Sequence, residues 1–203
     1  MKTVVAAPED LWDELSTTLK TSNCVRVESP AEFEQYTSDD IFFNLFEGAE
    51  KKTYLNNNNG LIFINSTNAT LNESNQPANI YRLNSWNGFL KRDKWEVAGV
   101  AGVRLIEYCN SINKEVIVCP DIPGFISCRI ISMIINEAYF TLAEGVSTKP
   151  EIDVAMKLGT NYPKGPFEWS DEIGLNKVLQ LLIALSKEDE RYTPAPMLIK
   201  DCK

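Results

Sequence analysis

Apolar residues gather in short runs through the first half of the chain and recur at helical spacing through the second. Thr3–Ala6 is an apolar run suited to a buried strand. Pro8-Glu9-Asp10 then opens a helix whose apolar face is Leu11, Trp12, Leu15 and Leu19. Cys24–Glu28 (CVRVE) reads as a second strand, and Ser29-Pro30 starts a short helix through Tyr36. Asp40–Phe46 (DIFFNLF) and Leu61–Asn65 (LIFIN) are the third and fourth strands, with a loop at Asn56–Gly60 (NNNNG) between them. Ile80–Leu83 and Trp95–Ala98 add further strands, Ala101–Ile112 a helix, and Glu115–Cys119 a last strand. Strands separated by helices imply a mostly parallel sheet, so the fold class is α/β.

From Pro123 onward the pattern is helical. Phe125–Ala143 carries apolar residues on nearly every side, among them Ile126, Ile130, Ile131, Ile134, Ile135 and Leu142, which predicts burial in a domain, in an interface, or in both. Gly145 ends that helix. Thr148-Lys149-Pro150-Glu151 combines a capping box with proline at the helix start, and the helix it opens runs to Gly159. Leu175–Ser186 is another amphipathic helix, and the polar, proline-containing tail after Glu188 is expected to be loosely held. The domain expectation is a sheet domain over residues 1–120 and an all-α domain over 121–203.

Composition narrows the function classes. The chain has 203 residues, 44% of them hydrophobic, which is enough for a packed core. A net charge of −8 disfavours nucleic acid and an anionic membrane surface. No apolar run is expected to reach membrane-spanning length, and MKTVVAAPEDLWDEL lacks the apolar core of a signal peptide. The expectation is a cytoplasmic protein. Five cysteines, Cys24, Cys109, Cys119, Cys128 and Cys202, fit no zinc spacing and read as free thiols. There is no histidine, so the commonest metal ligand and general base is missing, and no metal is expected.

The stretches Asp121–Val146 (DIPGFISCRIISMIINEAYFTLAEGV) and Ile152–Leu175 (IDVAMKLGTNYPKGPFEWSDEIGL) resemble the C-terminal domain of the 3-hydroxyacyl-CoA dehydrogenases. Pro123-Gly124-Phe125-Ile126, Asn136-Glu137-Ala138 and Gly165-Pro166-Phe167-Glu168 carry the match, in order. The resemblance implies a Rossmann-like domain followed by the helical one, dimerisation through the helical domain, and oxidation of a 3-hydroxyacyl-CoA with NAD. It extends more weakly over the rest of the chain, where the departures are informative. Ala6, Pro8 and Leu11 stand where the family has the glycines of G-x-G-x-x-G, and Glu9 and Asp10 put negative charge beside the phosphate position. The Rossmann-like sheet domain is therefore read as degraded, and no cofactor is expected. Glu28, at the end of the second strand, and Glu47, after the third, are relics of cofactor-binding acids or plain surface acids. Only Ser29–Asp39 remains of a longer helical excursion that covers acyl-CoA in the family.

At the catalytic centre the resemblance aligns Asn84 with the family histidine and Glu96 with the glutamate twelve residues after it. An amide does not titrate near neutrality and cannot shuttle a proton. Ser66 and Thr67 fall on a family hydroxyl segment, or are capping hydroxyls after a strand; Cys128, beside Arg129, falls on a family asparagine and otherwise reads as a buried thiol. Three readings stay open: a catalytically impaired binding or partner subunit with an acyl-CoA-type ligand, which the losses favour; an active NAD-dependent dehydrogenase with an atypical site; and a structural oligomerisation module, pairing with itself or with a complete dehydrogenase.

Overall fold

A computed structural model of the chain describes residues 2–19, 23–37, 40–49, 60–72 and 77–202. Asn56–Asn59 of the expected Asn-rich loop lie outside them. The chain forms two compact units, Met1–Phe125 and Ile126–Lys203, divided at the start of the third long helix.

The first unit is an α/β sheet domain. Its elements in order are β1 (Thr3–Ala6), α1 (Glu9–Leu19), β2 (Cys24–Val27), a 3₁₀ turn (Pro30–Gln35), β3 (Ile41–Asn44), β4 (Ile62–Asn65), β5 (Ile80–Leu83), β6 (Lys94–Ala98), α2 (Val103–Ser111) and β7 (Glu115–Cys119). The sheet order is β2-β1-β3-β4-β5-β6-β7. The first five of these positions are parallel; β6 runs antiparallel to β5, and β7 parallel to β6. β1, β3, β4 and β5 are almost wholly buried, as apolar runs in a parallel sheet must be.

Alternation along the strands divides the core. One face carries Val5, Phe43, Phe63, Leu83 and Trp95 and is covered by Leu11, Leu15 and Leu19 of α1 and by Leu105 and Tyr108 of α2. Phe43 and Phe63 stack there with ring centroids 4.6 Å apart. The other face carries Val4, Ala6, Phe42, Ile62, Ile64 and Ile80 and is closed by Phe33 of the 3₁₀ turn, whose ring lies 4.9 Å from that of Phe42. That turn starts at a capping box, with the Ser29 and Glu28 N–H groups both donating to Glu32 Oε1.

The second unit is all-α: α3 (Ile126–Ala143), α4 (Lys149–Thr160), α5 (Pro166–Ile173), α6 (Leu175–Ser186), a 3₁₀ turn (Glu190–Tyr192) and α7 (Pro196–Asp201). α3 packs against α5, α6 and α7 through Cys128, Ile131, Ile135, Ala138 and Tyr139, while Ile126 and Ile130 are half exposed. Two expectations need correction here. The tail after Glu188 is packed, not loose: Tyr192, Ala195 and Leu198 are buried. Asn136 clamps it, donating from Nδ2 to Thr193 O at 2.9 Å and accepting from Ala195 N at 2.8 Å. In addition, α3 reaches by length and composition what a membrane crossing needs. Its packed face, with Arg129 and Glu137 outside that face, is that of a bundle's central helix.

Candidate functional site

The carboxyl ends of β4 and β5 and the middle of the antiparallel β6 bring together most of the residues singled out in the sequence. Asn84 and Glu96 are cross-strand partners. Asn84 N donates to Glu96 O at 3.0 Å, and Asn84 Nδ2 donates to Glu96 Oε2 at 2.8 Å. Both side chains are buried. The polypeptide between them turns through Trp86 and Phe89, packed edge to face at 6.3 Å, and Asn84 Oδ1 accepts from Trp86 N at 3.4 Å. A carboxylate bonded to a carboxamide is a satisfied polar pair with no titrating base on its amide side.

Ser66 and Thr67 follow β4 directly and are buried. Ser66 Oγ donates to Ala69 O at 2.9 Å, closing the turn after the strand. The Thr67 carbonyl accepts from Gly124 N at 2.6 Å, which ties this loop to the Pro-Gly-Phe segment.

One residue that the sequence reading passed over organises this region. Arg82, on β5, is completely buried. Its Nε donates to Ser66 O (2.9 Å), Nη2 to Thr67 O (3.0 Å), and Nη1 to Asp121 Oδ1 (2.8 Å) and Ile122 O (3.1 Å). The guanidinium also lies over the Phe125 ring, 5.1 Å from its centroid. Asp121 in turn accepts from Leu71 N and Asn72 N. The ion pair thus fixes the 66–72 loop and the 121–125 segment at once.

The remaining named residues lie on or beside other elements of the chain. Cys128 is buried in α3, in the helical unit. Glu28 and Glu47, after β2 and β3, have exposed side chains. The β1–α1 turn places Ala6, Ala7 and Leu11 in the core, with Glu9 and Asp10 in the first turn of α1. Among the described residues no cluster of metal-ligating side chains is present.

A doubly wound sheet with polar groups at its strand ends, joined to a helical bundle by a Pro-Gly-Phe segment, defines the class: a two-unit protein of dinucleotide-fold type. Residues 124–203 match the family described as 3-hydroxyacyl-CoA dehydrogenase, C-terminal domain. The helical part of the chain, residues 124–203, is thus of the 3-hydroxyacyl-CoA dehydrogenase C-terminal domain family. The chain is 44% identical over 96 residues to a 3-hydroxybutyryl-CoA dehydrogenase of Bradyrhizobium diazoefficiens, covering 46% of this chain and 33% of the relative. It is 40% identical over 97 residues to a 3-hydroxyadipyl-CoA dehydrogenase of Escherichia coli, covering 47% of this chain and 20% of the relative. The matched stretch thus spans a third or less of these two relatives. Among solved structures, an (S)-3-hydroxybutyryl-CoA dehydrogenase from Ralstonia eutropha superposes with a TM-score of 0.73 at 20% identity, over 98% of this chain and 93% of that one. A 3-hydroxybutyryl-CoA dehydrogenase from Escherichia coli gives 0.74 at 15% identity, over 98% and 56%. At such identities the likeness is one of fold.

Proposed function

We propose that this chain is a member of acyl-CoA metabolism that has lost the dehydrogenase reaction and serves as a binding or partner subunit. The observation that carries the reading is the Asn84–Glu96 pair. Oxidising a 3-hydroxyl needs a group that accepts the hydroxyl proton, and the residue in that position is an amide that already spends a donor on Glu96 Oε2. A general base contributes about 10²–10⁴-fold, so its absence alone leaves at most a slow enzyme. An acyl-CoA-type molecule is the ligand class that the family fold favours. The compartment proposed is the cytoplasm, which suits the free thiols.

The assembly proposed is a homodimer through the helical unit. A groove of about 510 Å³ between α3 and α4 is lined by Met133, Ile134, Ala138, Ile152 and Met156. Val154 and Leu158, elsewhere on α4, are exposed, and an isologous pair would bury such apolar surface.

The test is NADH absorbance with acetoacetyl-CoA, on the purified protein and on Asn84→His, alongside light scattering at micromolar concentration. No turnover by the unmodified protein is expected, with a dimer in solution. Clear NADH consumption by the unmodified chain would overturn the reading, and a monomer would remove the assembly.

A further inference from the structure

In an open α/β sheet the dinucleotide position is the crevice at the carboxyl ends of the strands where the order reverses, with phosphate at the N-terminus of the first helix. Here that point lies between β1 and β3, at the start of α1. Phosphate binding there needs bare backbone and free N–H groups; here side chains crowd the backbone and one donor is missing. Ala6 and Ala7 are buried, Leu11 is locked into the core, and Pro8 has no N–H. Leu45 N donates to Ala6 O at 2.8 Å, drawing the chain after β3 against the end of β1.

We infer that this position is filled from within: the Glu9 carboxylate, held by Arg26, sits where a phosphate would, and the chain takes no NAD there. Arg26 comes from β2, paired opposite Val5. Its Nη1 donates to Glu9 Oε2 at 2.7 Å and its Nη2 to Ala7 O at 3.3 Å, and its guanidinium lies over the Trp12 ring at 5.4 Å. Glu9 is the first residue of α1, so the helix dipole and the guanidinium both favour its charge. Two further acids of the helix, Asp10 and Glu14, are also held by the chain. Asp10 Oδ2 accepts from Asn87 Nδ2 at 2.6 Å, and Glu14 Oε1 accepts from Gly88 N at 2.6 Å, which fastens the loop after β5 along α1. A pyrophosphate entering here must displace Glu9 from Arg26 while facing Asp10. This inference rests on Glu9 and Arg26 and not on the Asn84–Glu96 pair, although turnover with NADH would count against both.

Calorimetric titration with inorganic pyrophosphate, ADP and NADH tests it on the wild-type chain, Glu9→Gln, Glu9→Ala, and the double variant Glu9→Gln with Arg26→Gln. Glu9 is largely exposed and exposed ion pairs add little to stability, so these variants are expected to fold, which far-UV circular dichroism checks. The wild type should be silent. The single variants, with one charge fewer and Arg26 released, should bind pyrophosphate and ADP at least about tenfold more tightly, and the double variant should lose that gain. Micromolar NADH or ADP binding by the wild type overturns the inference. So do single variants that bind no better than the wild type, because exclusion would then belong to the backbone and not to Glu9.

Discussion

Replacing Arg82 with methionine tests the physical account of the site most directly. Methionine keeps much of the apolar stem and removes the guanidinium. The change strips a donor from Ser66 O, Thr67 O and Ile122 O and leaves Asp121 without its cation. Breaking a buried ion pair from one side costs about 3–5 kcal/mol, and an unsatisfied buried acceptor about 1–3 kcal/mol. Asp121 is 20% exposed and keeps its bonds from Leu71 N and Asn72 N, so the lower end applies, about 3 kcal/mol. With a urea slope of about 1–3 kcal/mol per molar, the midpoint should fall by about 1–3 M. Trp86 and Trp95, buried in the same unit, report the transition by fluorescence. Asp121→Asn and the double variant complete a cycle, whose coupling should be about 1–3 kcal/mol. A loss under about 1 kcal/mol for Arg82→Met, with an unchanged slope, would refute the claim that this guanidinium holds the two segments together.

Two further outcomes follow from the same kind of argument. Leu198→Ala, at a fully buried position of α7, should cost about 2–5 kcal/mol in urea unfolding, whereas a loosely held tail would register almost nothing. Burial pulls the Asp40 carboxyl upward, but hydrogen bonds from Lys2 N at 2.6 Å and from Thr37 outweigh it and hold it below its ordinary value of 3.8. A depressed folded pKa gives stability that is present above 3.8 and is lost as pH falls through the folded value, so Asp40→Asn should flatten the acid limb of a stability-against-pH curve. An acid limb as steep as that of the wild type would assign acid sensitivity to other carboxylates.

Local signals made the strands and most helices legible. β1, β5, β7 and α6 lie where their apolar runs begin and end, because a buried strand or an amphipathic face announces itself in neighbouring residues. What escaped depends on distant partners. The tail is polar and proline-containing, and only Asn136, in α3, reveals that it is clamped. α5 carries a local signal in Pro166 at its first turn and Glu168, which accepts from Gly165 N at 2.9 Å, but at eight residues it is too short for a clear apolar period. Arg82 sits inside the strand IYRL, where a charge reads as a surface position. Its acid partner is 39 residues away in sequence. At the candidate site, the spacing from Asn84 to Glu96 foretold their contact, while the seating of Glu9 against Arg26 needed the register of β2 on β1.

The antiparallel join of β5 and β6 bears on how such a site can change over time. Asn84 and Glu96 face each other because their strands are hydrogen-bonded neighbours, with Leu83 opposite Val97 one step further in. Their separation is therefore set by the sheet and not by the length of the connection. Residues could be gained or lost in the exposed Lys91–Asp93 stretch of that connection without moving either side chain. The interval of twelve is thus an inheritance of loop length. A relative with a different interval could hold the same pair, and a search that insists on the number would pass it by.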